Sequence, residues 1–150
     1  IIKTKINSKD MYCNIKIKLN GNVIETRAMI DTGNLVKEPI TNTPVVIVES
    51  SLLYDIIPKQ ILNNIEKILG GDLSEIPEEI QKEYVVKLRC IPFSSLGMQN
   101  GMLLGIKANE IEIENEEEKK ISTNVIIGIY DKSLTKRGEY RALIGLELIQ

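Results

Sequence analysis

From Met11 to Leu19, apolar Cys13, Ile15, Ile17 and Leu19 alternate with polar Asn14, Lys16 and Lys18, the period of a strand with one buried face. Asn20-Gly21-Asn22 supplies hairpin chemistry, and Val23 to Ile30 returns as a second strand. This constrains the fold more than any other feature, because slipping the pairing by one residue would turn every apolar side chain outward. The second strand runs through Ala28-Met29-Ile30 onto Asp31-Thr32-Gly33. That triplet occurs once, since Asp10, Asp55, Asp72 and Asp131 are followed by Met, Ile, Leu and Lys.

Beyond the triplet, 34–43 reads as a loop with Pro39, and Val45 to Val48 as a buried strand. Ser51 to Gly70 changes period. Pro58 suits a helix start, Ile61, Leu62, Ile65, Ile68 and Leu69 form one helical stripe, and Gly70-Gly71 supplies the stop. A shorter helix is expected over Ser74 to Glu83, with Pro77 in its first turn. Strands follow at Tyr84 to Phe93, Met102 to Ile113 and Ile121 to Tyr130, with a charged turn at 115–120. Glu110, Glu112 and Glu114 alternate with Ile111 and Ile113 as one solvated strand face. Asp131 to Tyr140 reads as an exposed loop, basic at Lys132, Lys136 and Arg137. The pattern predicts one mostly β domain over residues 1–150, in which strand pairing beside the triplet serves a closed barrel of roughly six to eight strands.

Composition narrows the chemistry. With 150 residues, 43% of them hydrophobic, the chain can bury one core. A net charge of -2 argues against a dedicated nucleic-acid binder, which would carry a basic face. No run approaches the roughly 18 apolar residues of a membrane span. The first residue is Ile, so an excised domain is expected. Cys13 and Cys90 lack metal-ligand spacing and read as reduced, partly buried thiols. Histidine is absent, which removes Ser-His-Asp and Cys-His catalysis and any imidazole metal site. No metal and no cofactor are expected, so any catalysis must rest on carboxylates.

Asp31-Thr32-Gly33 has the makings of an aspartic-protease half-site. Peptide hydrolysis needs a base for the attacking water and an acid for the substrate. Two carboxylates held close together cannot both ionise easily, so they share a proton and divide those roles. With one motif per chain, the second carboxylate must come from another copy. Asp-Thr-Gly is equally ordinary β-turn chemistry. Two further segments favour the first reading. Ala142-Leu143-Ile144-Gly145 is an apolar-apolar-glycine strand, as crosses behind the catalytic loop of such half-domains, and Leu146-Glu147-Leu148-Ile149 reads as the start of a terminal helix. Ile91 to Gly105 reads as a hairpin, and its centre, Ser94, Ser95, Leu96, Gly97, Met98, Gln99, Asn100 and Gly101, stands where a flap would cover substrate. Each segment alone also fits a plain strand or hairpin.

Together these residues resemble the sporulation sigma-E factor processing peptidases. The likeness rests on Ile30-Asp31-Thr32-Gly33-Asn34-Leu35, Glu38-Pro39-Ile40-Thr41, Thr43-Pro44-Val45-Val46-Ile47-Val48, Ile91-Pro92-Phe93-Ser94-Ser95, Asn100 to Gly105 and the terminal Ala142 to Gly145. It implies a retropepsin-like closed β-barrel half-domain with an inserted helical segment and a C-terminal helix. Asp31 would be the catalytic residue, Thr32, Gly33 and Asn34 its loop, and Ile144 and Gly145 the support behind it. It further implies a homodimer, a sigma-factor precursor as substrate, a membrane-embedded N-terminal half, and a secreted signalling activator working through that half. The domain would then lie at the cytoplasmic face of the cell membrane. Asn34 stands where broader retropepsins carry Ala, Ser or Thr, and Leu146-Glu147 replaces their Arg-Asp or Arg-Asn. Two other readings stay open: a regulatory or dimerisation module with an idle motif, and a general retropepsin-like peptidase unconnected with sporulation.

Overall fold

The computed structural model describes residues 11–33, 36–93 and 101–149. Strands β1 (Tyr12–Leu19) and β2 (Asn22–Ile30) pair antiparallel with Leu19 opposite Asn22. The turn between them holds Asn20 at φ 53° and Gly21 at φ 77°, the left-handed pair that a two-residue hairpin matched to strand twist requires. Next come β3 (Lys37–Glu38) and β4 (Thr43–Glu49), a 3-10 turn Ser50–Leu53, and helices α1 (Lys59–Leu62), α2 (Ile65–Leu69) and α3 (Glu78–Tyr84). The remaining strands are β5 (Leu88–Phe93), β6 (Gly101–Lys107), β7 (Glu110–Glu114), β8 (Lys119–Ser122), β9 (Ile126–Tyr130) and β10 (Ala142–Ile144), and a 3-10 turn covers Leu146–Leu148.

The sheet runs β5-β6-β9-β4-β10-β2-β1-β7-β8, with β3 attached to β4. It is open, not the closed barrel expected. β5 and β8 end the order unpaired with each other, and β3 approaches β5 without forming a ladder to it. Two ladders are parallel, β4 with β9 and β10 with β2. The central strands are buried on both faces, which explains their unbroken apolar runs. Val46, Val48, Ile127, Ile129, Ala142 and Ile144 join the main core with β1, β7 and the helices. Val45, Ile47, Ile126 and Leu143 join Ile91, Phe93 and Leu103 in a second cluster on the opposite face. Each fully buried aliphatic side chain contributes about 1.5–3 kcal/mol relative to exposure.

Several expected boundaries shift. The helical stripe is real, with Ile61, Leu62, Ile65 and Ile68 buried, but it is split into α1 and α2. The break follows from Asn64, whose side chain donates to the Gln60 carbonyl at 2.7 Å and competes with the helix backbone. The expected strand over Tyr84 to Phe93 starts only at Leu88, because Tyr84 closes α3. Met102 to Ile113 divides at Ala108-Asn109 into β6 and β7, and Ile121 to Tyr130 divides into β8 and β9. The expected C-terminal helix is one 3-10 turn, and Leu148 and Ile149 are both buried in the main core. Among the described residues no helix is long and apolar enough to cross a membrane.

Candidate active site

β2 delivers Asp31. The Ile30 N–H donates to the Met11 carbonyl at 2.9 Å and the Asp31 N–H donates to the Ile144 carbonyl at 2.8 Å, so the backbone entering the triplet is held from both sides. β10 lies parallel to β2, with Ala142 opposite Ala28, Leu143 opposite Met29 and Ile144 opposite Ile30. The strand that precedes Gly145 is thus the neighbour of the strand that carries Asp31. Gly145 itself is buried at the entry to the last 3-10 turn.

The Asp31 side chain is half-buried, whereas Thr32 and Gly33 are exposed. Asp31 Oδ1 accepts the Gly33 N–H at 3.0 Å, the side-chain-to-backbone closure by which aspartate sets its own turn. Gly33 does not adopt a positive φ. A Cβ there would meet Asp31 Oδ1 at an ordinary 3.5 Å, so within the described chain neither backbone conformation nor crowding demands glycine.

Strand alternation puts Asp31 on the face of Met29, away from the main core, and Tyr12 opposite Met29 shares that face. The Tyr12 and Tyr140 rings lie 6.0 Å apart at 40°, and the Arg27 guanidinium carbon stands 4.1 Å from the Tyr12 ring centre. Burial pushes the Tyr140 phenol up, with Tyr12, Asp31 and Glu139 adding to the shift. Tyr12 and Tyr140 therefore form an aromatic wall on the sheet face that Asp31 shares. Sequence reading missed Tyr12, Arg27 and Tyr140; the available signal was the parity of Tyr12 with Met29 and Asp31 across the first hairpin.

The loop after the triplet returns through β3, paired with β4. Glu38 is buried and accepts the Ile40 N–H at 2.6 Å, the Thr41 N–H at 3.0 Å and the Thr41 hydroxyl at 2.8 Å. Its carboxyl sits below the usual range, chiefly because of the Ile40 bond.

Asn34 and the proposed flap residues Ser94, Ser95, Leu96, Gly97, Met98, Gln99 and Asn100 lie outside the described residues. The strands bounding that segment pair antiparallel, with Phe93 opposite Gly101. Gly101 is a buried strand residue of β6, not part of a turn. The Phe93 ring lies over it, so a Cβ would come within 2.7 Å of the ring. Among the described residues no group of three or more Cys, Asp or Glu is placed to hold a metal ion.

The family model for sporulation factor SpoIIGA, Peptidase_U4, matches residues 1–148. A protein of Bacillus thuringiensis subsp. kurstaki, named as a candidate sporulation sigma factor-processing peptidase, is 30% identical over 141 residues, which are 94% of this chain and 85% of the relative. The sporulation sigma-E factor-processing peptidase of Priestia megaterium is 28% identical over 140 residues, 93% of this chain and 45% of the relative. That of Bacillus subtilis is 28% identical over 146 residues, 95% and 46% respectively. The chain thus spans less than half the length of the latter two. No solved structure matches it.

Proposed function

The chain belongs to the peptidase family of sporulation factor SpoIIGA, and from that premise we propose that it is an aspartic endopeptidase that trims a sporulation sigma-factor precursor as a homodimer. Each copy supplies one Asp31, and a two-fold axis passes between the two carboxylates. They hold one proton between them. The ionised partner takes a proton from water as the oxygen attacks the scissile carbonyl, and the protonated partner gives its proton to the carbonyl oxygen. Collapse of the tetrahedral intermediate returns a proton to the leaving amine, with no covalent enzyme intermediate. The apparent pKa values belong to the pair.

Thr32 steadies the two loops across the axis, with Gly33 and Asn34 completing each. Extended substrate lies beneath the segment 94–100 and bonds to it as an added strand. In the whole protein, a membrane half holds this domain at the cytoplasmic face and relays a secreted activator. The observation that carries this reading is the bond from the Asp31 N–H to the Ile144 carbonyl: the lone Asp-Thr-Gly and the apolar-apolar-glycine strand, 111 residues apart by the span Asp31 to Ala142, are neighbours.

The test is cleavage of the sigma-E precursor by the full-length protein carrying Asp31→Asn, a nearly isosteric change that removes the ionisable group. Cleavage should fall by roughly 10³-fold or more with the fold intact. Undiminished cleavage would exclude the aspartic mechanism.

A further inference from the structure

The segment 131–140 contains no helix or strand, yet it ends on Tyr140, one half of the aromatic wall on the Asp31 face. Something must fix it. At the end of β4, Glu49 is only 6% exposed. Its Oε2 accepts the Leu134 N–H at 2.7 Å, and its Oε1 accepts Arg141 Nε at 3.3 Å, so one carboxylate ties both ends of the Leu134 to Arg141 stretch. The backbone repeats the tie. The Glu49 N–H donates to the Arg141 carbonyl at 3.1 Å, and the Arg141 N–H donates to the Arg27 carbonyl at 3.1 Å. Ser51 joins from the following turn, its hydroxyl donating to Glu49 Oε1 at 3.4 Å and accepting from Arg141.

We propose that Glu49 is a positioning residue for the reaction: its buried carboxylate clamps Leu134 and Arg141 so that Tyr140 is held against Tyr12 as a substrate-binding wall beside Asp31. The proposal rests on the aspartic endopeptidase reading given above. A buried carboxylate is retained at a cost in desolvation unless partners satisfy it, and here both oxygens are engaged. Those partners lie 85 and 92 residues further along the chain, so the clamp serves the loop rather than its own strand. Leu134 and Tyr140 also pack against the second apolar cluster, which keeps the loop on the sheet face that bears Asp31. Glu49 itself touches no reacting atom. Its loss should therefore weaken ground-state binding of extended substrate more than it slows the chemical step.

The experiment uses the full-length protein and the sigma-E precursor, with Glu49→Gln, Glu49→Ala and Asp31→Asn compared in parallel. KM should rise about tenfold in Glu49→Ala and about threefold in Glu49→Gln, which keeps an acceptor for Leu134 but loses the charge facing Arg141, while kcat stays within about twofold. The Leu134 amide should exchange its hydrogen faster in both variants, most in Glu49→Ala. An unchanged KM in Glu49→Ala, or a fall in kcat that tracks the unfolded fraction with no change in KM, overturns the clamp. If Glu49→Ala does not fold, Glu49→Gln decides by the same KM criterion. Undiminished cleavage by Asp31→Asn defeats the mechanism itself, whereas an inactive Asp31→Asn beside wild-type kinetics in the Glu49 variants defeats only this inference.

Discussion

Cys13 and Cys90 carry the same thiol into opposite surroundings. Both are free, Cys13 buried and Cys90 exposed, which corrects the expectation that each would be partly covered. Cys13 lies in β1 opposite Ala28, and burial pushes its thiol up to about 12. Since only the thiolate attacks, a thiol reagent at mildly alkaline pH should modify Cys90 alone in the folded protein. Both cysteines should react once denaturant is added. Rapid modification of Cys13 under native conditions would contradict its place in the core. Ionic contacts follow the same local logic: Glu112 holds Lys119 at 3.1 Å and raises its pKa, and Lys18 meets Glu110 at 3.2 Å. Glu110 and Glu112 of β7 are thus each paired with a lysine on a neighbouring strand.

Among the elements, β6 and β9 show how a face is made thin enough to pack. Gly105 and Gly128 stand opposite each other in their ladder. A Cβ on Gly128 would come within 2.9 Å of Val45 Cγ1 and 3.1 Å of Leu103 Cδ1; one on Gly105 would come within 2.8 Å of Ile91 Cγ1. The second apolar cluster closes over the space these glycines leave. Gly128→Ala should therefore destabilise the fold by about 1–3 kcal/mol in urea unfolding, the usual cost of overpacking a tight core. Gly70→Ala is the control, because a Cβ there meets only backbone oxygens at 3.5 Å. Equal stability of the two variants would show that the cluster yields. Gly71 has another duty: its φ of 86° ends α2 and lets the Asp72 N–H reach the Lys67 carbonyl.

At the scale of the molecule, the question is what remains for a second copy to hold. Leu148 and Ile149 are spent on the chain's own core, and Glu147 pairs with Lys37 of the same chain at 2.9 Å. Leu146 and Glu147, the two positions after Gly145, are thus engaged internally, Leu146 against the main core and Glu147 with Lys37. The outer edge strand β8 carries Lys119 and Lys120, a charged edge of the kind that discourages strand addition. We expect residues 1–150 to sediment as a monomer at about micromolar concentration, with dimers appearing only as concentration rises. A tight dimer at high dilution would show that another surface supplies the association.

Much of this architecture is legible in the residue order. Alternation from Cys13 to Leu19 and the Asn20-Gly21 turn specify the first hairpin, because period and turn chemistry are local properties. The stripe from Ile61 to Leu69 marks a covering helix for the same reason, although the side chain of Asn64 cuts it in two. The sequence by itself determined the single Asp-Thr-Gly triplet at Asp31, its seat at a strand end, and the absence of any imidazole. Tertiary structure alone decided that Ile144 would hold the Asp31 amide, that Tyr12 and Tyr140 would meet, that Glu49 would reach Leu134 and Arg141, and that the sheet would stay open. Those contacts join residues many tens of positions apart. They depend on which strands become neighbours, and nearest-neighbour propensity carries no record of that choice.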